Sequence, residues 1–322
     1  MKVAVLGGGI CGLYLAQKLA KAGHKVEVFE QKTFIGKQCC SGLFSERLFD
    51  FLPESRELVE NRINRCLIHF PKKTLSLAFR KKFYVIEHAK LDQMAARLAQ
   101  KNTATITLGK KIDQTALENL MTRFDKVIGC DGALSVARKH LGLKESGYSL
   151  GIQVFSEKSN KSDLVETWPT ENGFIWKIPR GESQEYGIME NPERARKIFD
   201  EFLEKNNLPA TDLRSALIPT NFSLPSNERI TLCGDASGLT KPWSGGGVVW
   251  GLKSADILLK NFPNFLQYKM EAERFFNLEI SAASAAKKTL YWLGYNAPYV
   301  LPTNYSIDGD YLFKWTQQSQ NI

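Results

Sequence analysis

The six cysteines of this chain include no CxxC pair, and no histidine pattern accompanies them. That excludes the usual zinc spacings and a disulfide scaffold, so no metal is expected and Cys11, Cys39, Cys40, Cys66, Cys130 and Cys233 should be reduced. No apolar run reaches the roughly eighteen residues that span a bilayer. Met1 leads straight into a strand-like run without a signal peptide, so a cytoplasmic protein is expected. Internal repeats, low-complexity segments and a nucleic-acid motif are also missing, and nucleic acid is not an expected partner. Acidic residues are outnumbered, 34 to 43, for a net charge of +9. The excess is spread along the chain, with only short clusters such as Arg80-Lys81-Lys82. It reads first as solvated surface, then as a surface for anionic membranes, an acidic protein donor or phosphorylated substrates.

What is present is ordinary for a globular protein: 322 residues, 43% hydrophobic and 24% charged. The length suggests two structural units. The informative stretch is the first thirty or so residues. Lys2 to Leu6 is an apolar strand breaking into Gly7-Gly8-Gly9-Ile10-Cys11-Gly12. A helical pattern through Leu13, Leu15, Ala16 and Leu19 leads to a second strand, Lys25 to Phe29, ending at Glu30. This is a βαβ dinucleotide fingerprint in register. Gly7 permits the turn out of the strand, Gly9 lets the backbone approach a pyrophosphate, and Gly12 lets helix and strand pack closely. Free amides and the dipole at the helix start favour the diphosphate. Glu30 can accept from ribose hydroxyls and disfavours a 2′-phosphate, so FAD or NAD fits better than NADP.

A glycine-punctuated loop, Gln31 to Gly42, leaves the carboxyl end of the second strand, where doubly wound sheets bind ligands. Cys39 and Cys40 lie in it. A short helix follows, with Ser45 as its expected cap and Leu48, Phe49 and Leu52 on its apolar face. Residues 63–70 and 74–79 read as strands across a Pro71-Lys72-Lys73 turn, the first departure from βα alternation. Helical periodicity returns at Leu91, and strands are expected at 103–108, 126–130, 152–155, 174–178, 213–219 and 230–233. Helices are expected at about 192–206, after Gly245-Gly246-Gly247, and from about 265 to 293. The tail from Asn296 has no clear period.

Three separated segments resemble the FAD-binding signatures of the para-hydroxybenzoate-hydroxylase-like flavoproteins: the N-terminal fingerprint, Asp131-Gly132-x-x-Ser135-x-x-Arg138, and Gly234-Asp235 with its later glycines. Within that group the chain is most similar to the geranylgeranyl reductase family, through Cys40-Ser41-Gly42-Leu43 and Gly234-Asp235-Ala236-Ser237-Gly238-Leu239-x-x-Pro242-x-x-Gly245-Gly246-Gly247. The strand Gly173-Phe174-Ile175-Trp176-Lys177-Ile178-Pro179 resembles one that these reductases place in the substrate sheet. Flavin-dependent halogenases carry a similar Trp-rich strand.

The resemblance implies an α/β fold: a Rossmann-type FAD-binding domain, an inserted mostly antiparallel β-sheet substrate domain and a helical C-terminal part. The implied divisions are 1–60, 88–147 and 226–262 for FAD, 61–87 and 148–225 for substrate, and 263–322 for the helical segment. It implies non-covalent FAD held by Gly7, Gly9, Gly12, Glu30, Asp131, Arg138, Gly234, Asp235, Gly245, Gly246 and Gly247. Asp235 would hold a ribityl hydroxyl, and the triple glycine would face the flavin pyrimidine edge. Arg47 and Arg138 are candidates for the FAD diphosphate and Lys241 for a phosphate. His88 stands where relatives often carry Arg, and as an isolated histidine it reads as structural.

The implied activity is reduction of carbon–carbon double bonds in a prenyl or other isoprenoid (geranylgeranyl-type) lipid. Hydride from a reduced flavin must be matched by a proton, so an apolar site needs one well-placed donor. Cys40 is the catalytic candidate, and Phe174, Trp176 and Trp243 are expected to wall the substrate. NAD(P)H or reduced ferredoxin would supply electrons, the latter docking as an acidic protein on the basic surface. The partners expected are thus the isoprenoid substrate, an electron donor and a peripheral membrane surface. A flavin monooxygenase or halogenase using NAD(P)H and oxygen is the first alternative, and a non-catalytic flavin-binding protein the second.

Overall fold

The structure, a computed structural model, describes residues 1–145, 147–157, 162–208 and 212–313. Residue 146 of the expected cofactor domain, 158–161 and 209–211 of the expected substrate domain, and 314–322 of the C-terminal segment lie outside the described residues.

Strand β1 (Lys2–Leu6) runs down the middle of a parallel sheet, and Val3 to Leu6 are all buried, as a strand covered on both faces requires. Helix α1 (Ile10–Lys21) crosses to β2 (Lys25–Phe29), which pairs with β1 from Lys2↔Lys25 to Leu6↔Phe29. After β3 (Leu43–Ser45) and the short α2 (Leu48–Phe51), the chain leaves this sheet for a long hairpin of β4 (Val59–Phe70) and β5 (Lys73–Ile86). Alternation resumes with α3 (His88–Lys101), β6 (Thr105–Thr107), α4 (Gln114–Arg123), β7 (Lys126–Gly129) and α5 (Val136–His140).

The second sheet is then completed by β8 (Tyr148–Ser156), β9 (Leu164–Pro169), β10 (Phe174–Pro179) and β11 (Gln184–Glu190), and, after α6 (Pro192–Lys205), by β12 (Arg214–Pro219). Strand β13 (Ile230–Leu232) returns to the first sheet, followed by α7 (Val248–Asn261), α8 (Phe265–Asn296) and β14 (Asn304–Ile307).

The first sheet has the order β13-β7-β1-β2-β6, all parallel. The chain runs outward from β1 in one direction and then in the other, so strand order reverses between β1 and β7. A crevice opens at the carboxyl ends of strands at such a point, and there the Gly7 turn meets Cys130 and Asp131.

The second sheet runs β12-β8-β11-β10-β9-β4-β5-β14, with β3 beside β5. Most pairs are antiparallel; β4 with β9 and β5 with β14 are parallel. One face is covered by α6. Its cap is Asn191, whose side chain accepts from Glu193 N at 2.9 Å, with Pro192 in the first turn. Ala195, Phe199 and Leu203, one helical stripe, bury against Ile152, Val154, Ile175 and Ile188. Emptying the Phe199 position would cost about 3–5 kcal/mol. Because side chains alternate along a strand, Trp176 and Ile178 face the other way from Ile175, toward the interior of the molecule.

Two expectations are corrected. Ser45 does not cap a helix: it pairs with Phe83 in the β3–β5 ladder, which keeps its backbone extended, and Arg47 precedes α2. The C-terminal segment is not helical throughout, since past α8 the chain adds β14 to the second sheet beside β5.

Candidate functional site

The three fingerprint glycines have separate reasons to be glycine. A Cβ on Gly7 (φ +100°) would stand 2.3 Å from Cys130 O, and one on Gly12 2.2 Å from Gly7 O. Both enforce backbone crossing. Around Gly9 a Cβ would meet nothing within 4 Å, so the space beside it is open. Gly9 begins α1 with no side-chain cap, and the unpaired amides of a first helical turn are a ready anion site. Glu30 closes the loop from the second strand: its carboxylate accepts from Gly8 N at 2.7 Å and Lys32 N at 2.9 Å.

The Asp131 segment is turned largely inward. Asp131 accepts from Ser135 Oγ at 2.6 Å and from Ala137 N at 3.2 Å, while Ser135 caps α5 at Arg138 N. Burial pushes the Asp131 carboxyl above its ordinary range against those hydrogen bonds. Arg138 is not a cavity residue. Its guanidinium is buried and donates to Lys144 O (2.9 Å), Asn221 O (3.3 Å) and Ala236 O (3.4 Å), bracing three backbone segments rather than waiting for a diphosphate. Gly234 likewise serves packing, at φ +66° with its Cα face against Cys11.

Asp235 does reach the cavity. Lys37 Nζ lies 3.2 Å from its Oδ2, and Gly247 passes so close that a Cβ there would be 2.8 Å from Oδ1. Asp235, foremost, holds the Lys37 ammonium well above its usual range. Gly245, Gly246 and Gly247 then open α7, again with no side-chain cap. The cations expected near phosphate are committed elsewhere. Lys241 Nζ donates to Asp310 Oδ1 at 2.9 Å, and Arg47 binds Asp308 at 2.6 Å and Asp310 at 2.9 Å. Together with Trp250 Nε1 donating to Asp310 O at 3.0 Å, they strap residues 308–310 across this end of the cavity.

Cys40 sits on the cavity wall beside two residues of α3, His88 and Asp92. His88 Nε2 is 3.3 Å from Asp92 Oδ1, both side chains being almost wholly buried. Cys40 is the other group that bears on the imidazole, and each shifts the other's proton affinity. Burial alone would lower His88, but Asp92 and Cys40 outweigh it and push the imidazole up to about 10. Burial alone would raise Cys40, but His88, Lys37 and the Gly42 amide outweigh it and hold the thiol below its ordinary value. Cys39 is different: burial pushes it up to about 12. His88 is therefore not an isolated structural histidine. Its i,i+4 spacing from Asp92 was a readable signal.

Trp176, Phe174 and Trp243 all line the cavity. Trp176 Nε1 donates to Glu185 Oε1 at 2.9 Å, and Arg180 Nη1 donates both to Glu185 Oε2 (2.7 Å) and to Ser41 O (3.0 Å), so one buried ion pair ties the second sheet to the cysteine loop. Neither Glu185 nor Arg180 carries a motif that could have singled it out. The far wall comes from α8, also unforeseen as a site element, through Ala283 and Leu290, with Tyr291 Oη bonded to Gly173 O at 2.8 Å.

These surfaces enclose a mostly apolar cavity of about 1520 Å³ running from Gly9 past Gly245–Gly247 to α8. Drug-sized ligands occupy pockets of about 300–1,000 Å³. The space therefore has room for a large cofactor and a second molecule. The open cradle at Gly9, the Asp235 carboxylate and the second uncapped helix start at Gly247 fit an FAD.

Residues 5–54 match the model of an NAD(P)-binding Rossmann-like domain. Digeranylgeranylglycerophospholipid reductase 1 of Methanosphaera stadtmanae is 22% identical over 90% of this chain and 84% of its own. Among solved structures, a geranylgeranyl bacteriochlorophyll reductase-like protein from Thermoplasma acidophilum superposes with a TM-score of 0.72 at 20% identity, covering 90% of this chain and 87% of that one. A flavin-dependent halogenase, CmlS, gives 0.67 at 15%, covering 96% and 68%. The chain thus has the fold shared by geranylgeranyl reductase-like proteins and flavin-dependent halogenases, and its resemblance to the reductase relatives extends over nine-tenths of its length.

Proposed function

We propose that the protein is an FAD-dependent oxidoreductase that saturates carbon–carbon double bonds of a prenyl-type lipid. The observation that carries this reading is the continuity of the cavity: one apolar space joins the dinucleotide cradle to a chamber beneath Trp176 and α8, with Cys40 on its wall. Gly7 and Gly9 would admit the diphosphate, Asp235 would hold a ribityl hydroxyl, and Gly245 to Gly247 would border the ring. Bound FAD, once reduced, supplies hydride. Residues 1–60, 88–147 and 226–262 serve the cofactor, and 61–87 with 148–225 the substrate.

The rest of the reaction falls to side chains. An isolated alkene gains little from polar contacts, so Phe174, Trp176 and Trp243 would hold it by area and shape while excluding water. The matching proton enters at the Cys40 position. The electron donor is NAD(P)H or a reduced ferredoxin, the latter suited to a chain of net charge +9. Among the described residues no helix is long and apolar enough to cross a membrane, so a lipid would be met at a membrane surface or in solution.

Purified protein should be yellow and release FAD on denaturation. Mass spectrometry of co-extracted lipid tests the substrate: a bound prenyl chain is expected. A monooxygenase or halogenase is the second reading, favoured by the likeness to CmlS. It predicts NAD(P)H-dependent oxygen consumption coupled to product, which the reductase reading does not.

A further inference from the structure

Cys40 lies on a loop and His88 and Asp92 on the first turns of α3, yet the three meet on one wall of the cavity. The arrangement is layered. Asp92 is 1% exposed and His88 5%, so the acid lies behind the ring and neither is a surface group. Asp92 is itself held, its Oδ2 accepting from Lys37 N at 2.9 Å. His88 Nδ1 has no hydrogen-bond partner among the described residues, and the edge of Phe44 packs against the ring. Cys40 Sγ accepts from Gly42 N at 3.5 Å, and Gly42 is pinned in turn by Arg180 on Ser41 O.

Resting on the reductase reading, we infer that Cys40, His88 and Asp92 form a proton-loading device: His88 stores the proton that Cys40 delivers into the cavity, and Asp92 orients the ring. Three physical points support it. A solitary thiol in an apolar chamber, once it has given up its proton, must be recharged in a place water reaches poorly. An imidazole beside it on the same cavity wall supplies that recharge without water crossing the substrate site. The carboxylate behind the imidazole fixes its orientation and stabilises its charge, so the proton stays available while the thiolate persists.

The step balances. A hydride pair forms one C–H bond and consumes the π bond. Cys40 starts as thiolate beside the His88 imidazolium: the imidazolium N–H protonates sulfur and the adjacent carbon takes that proton, leaving thiolate and neutral imidazole. Solvent returns one proton to His88 after product leaves. Cys40 touches substrate; His88 and Asp92 are positioning residues acting through it.

The charges facing this unit are named easily. Cys40 sees His88 from α3, Lys37 from its own loop and, further off, Arg180 from the turn between β10 and β11. His88 sees Asp92 and Cys40. Lys37 is shared with Asp235, so its effect on the thiol is divided.

The test needs no substrate. Purified holoprotein is pulsed with iodoacetamide across a pH series, and alkylation of Cys40 and Cys39 is quantified on separate fragments by mass spectrometry. Cys40 should react with a midpoint below the ordinary thiol value of about 8.5, and Cys39 only far above it. His88→Asn should move the Cys40 midpoint up by about one unit or more, which is a tenfold or greater loss of rate at neutral pH. Asp92→Asn should move it the same way but less. If His88→Asn does not fold, the parental profile and Asp92→Asn decide. A parental Cys40 midpoint in the ordinary range, or one unmoved by either substitution, overturns the device. A low, His88-dependent midpoint in protein that saturates no prenyl substrate supports the thiolate–imidazolium unit and overturns the substrate reading instead.

Discussion

The indole of Trp176 donates to Glu185 across the β10–β11 ladder, at 2.9 Å between Nε1 and Oε1. Glu185 is fully buried and sits one register step from Lys177's partner Tyr186, with Arg180 on its second oxygen. The pair fixes a large aromatic over the cavity from behind. Gly187, whose absent Cβ would lie 2.2 Å from Trp176 Cζ2, leaves the room for it. Placement of the Trp176 wall of the cavity and of the Cys40 loop therefore share one anchor.

Glu185→Ala should be destabilising, because it leaves the buried Arg180 with Glu60, 3.0 Å away, as its remaining counter-charge and leaves the indole N–H unpaired. Breaking a buried pair from one side costs about 3–5 kcal/mol. Thermal melts should show this as a large drop in Tm, and Glu185→Gln, which keeps an acceptor, should fall less. Equal melting of all three proteins would mean that the anchor contributes nothing.

Gly9→Val should eliminate FAD binding while leaving the fold intact. Nothing in the protein occupies the space a side chain would take there, so its only clash is with a ligand. Gly7→Ala is the contrast, since its Cβ would overlap Cys130 O and positive φ penalises it further. Flavin titration beside circular dichroism separates the two. Retained binding in Gly9→Val would displace the diphosphate from this cradle.

Asp235→Ala should weaken FAD binding by about 1–3 kcal/mol through loss of a half-buried acceptor on the cavity wall. Lys37 then loses its carboxylate partner, and Asp235→Asn, isosteric and neutral, distinguishes the ribityl hydrogen bond from the charge. Equilibrium dialysis reads both. Unchanged affinity in both variants would remove Asp235 from the cofactor site.

Much of this architecture was legible. Gly7, Gly9 and Gly12 announced a dinucleotide turn because Gly7 and Gly12 are forced by close backbone and Gly9 keeps open the space beside the helix start. The Trp176 strand and the α6 stripe followed from periods of 2 and 3.6. What escaped notice depends on pairing across the chain. Arg47 and Lys241 looked free for phosphate because their partners, Asp308 and Asp310, lie in a tail with no period. Strand β14 escaped because its four residues, three of them exposed, carry no alternation, and only β5 gives them a ladder. Arg138 kept its motif position but not its motif role, since three carbonyls with no local signature surround it.

His88 should remain protonated through neutrality. Its folded value of about 10 lies above the ordinary 6.5, so the stability it contributes is complete below pH about 6.5 and is lost as pH rises through about 10. Nitrogen-15 NMR should therefore show an imidazolium unchanged from pH about 6 to 9. His24, lowered by burial and the nearby amino terminus, should lose its proton at a pH below the ordinary value. A His88 midpoint near 6.5 would show that Asp92 and Cys40 do not hold the charge.

Cys40→Ala should leave FAD binding and flavin reduction intact and slow alkene saturation by about 10²–10⁴-fold, the usual range for general acid catalysis. The thiol lies on the cavity wall, whereas the dinucleotide cradle is built from Gly7, Gly9 and Asp235, so the two functions separate by position. Cys39→Ala is the matched control. Its thiol shares the loop and the cavity but is pushed up to about 12, and it has no His88 beside it to reload a proton. Single-turnover measurement with pre-reduced flavin isolates the saturation step from electron supply. A parental rate in Cys40→Ala would transfer the donor role to water or to another wall residue. Equal slowing in both variants would indicate that the loop's shape, rather than the Cys40 proton, is what the reaction requires.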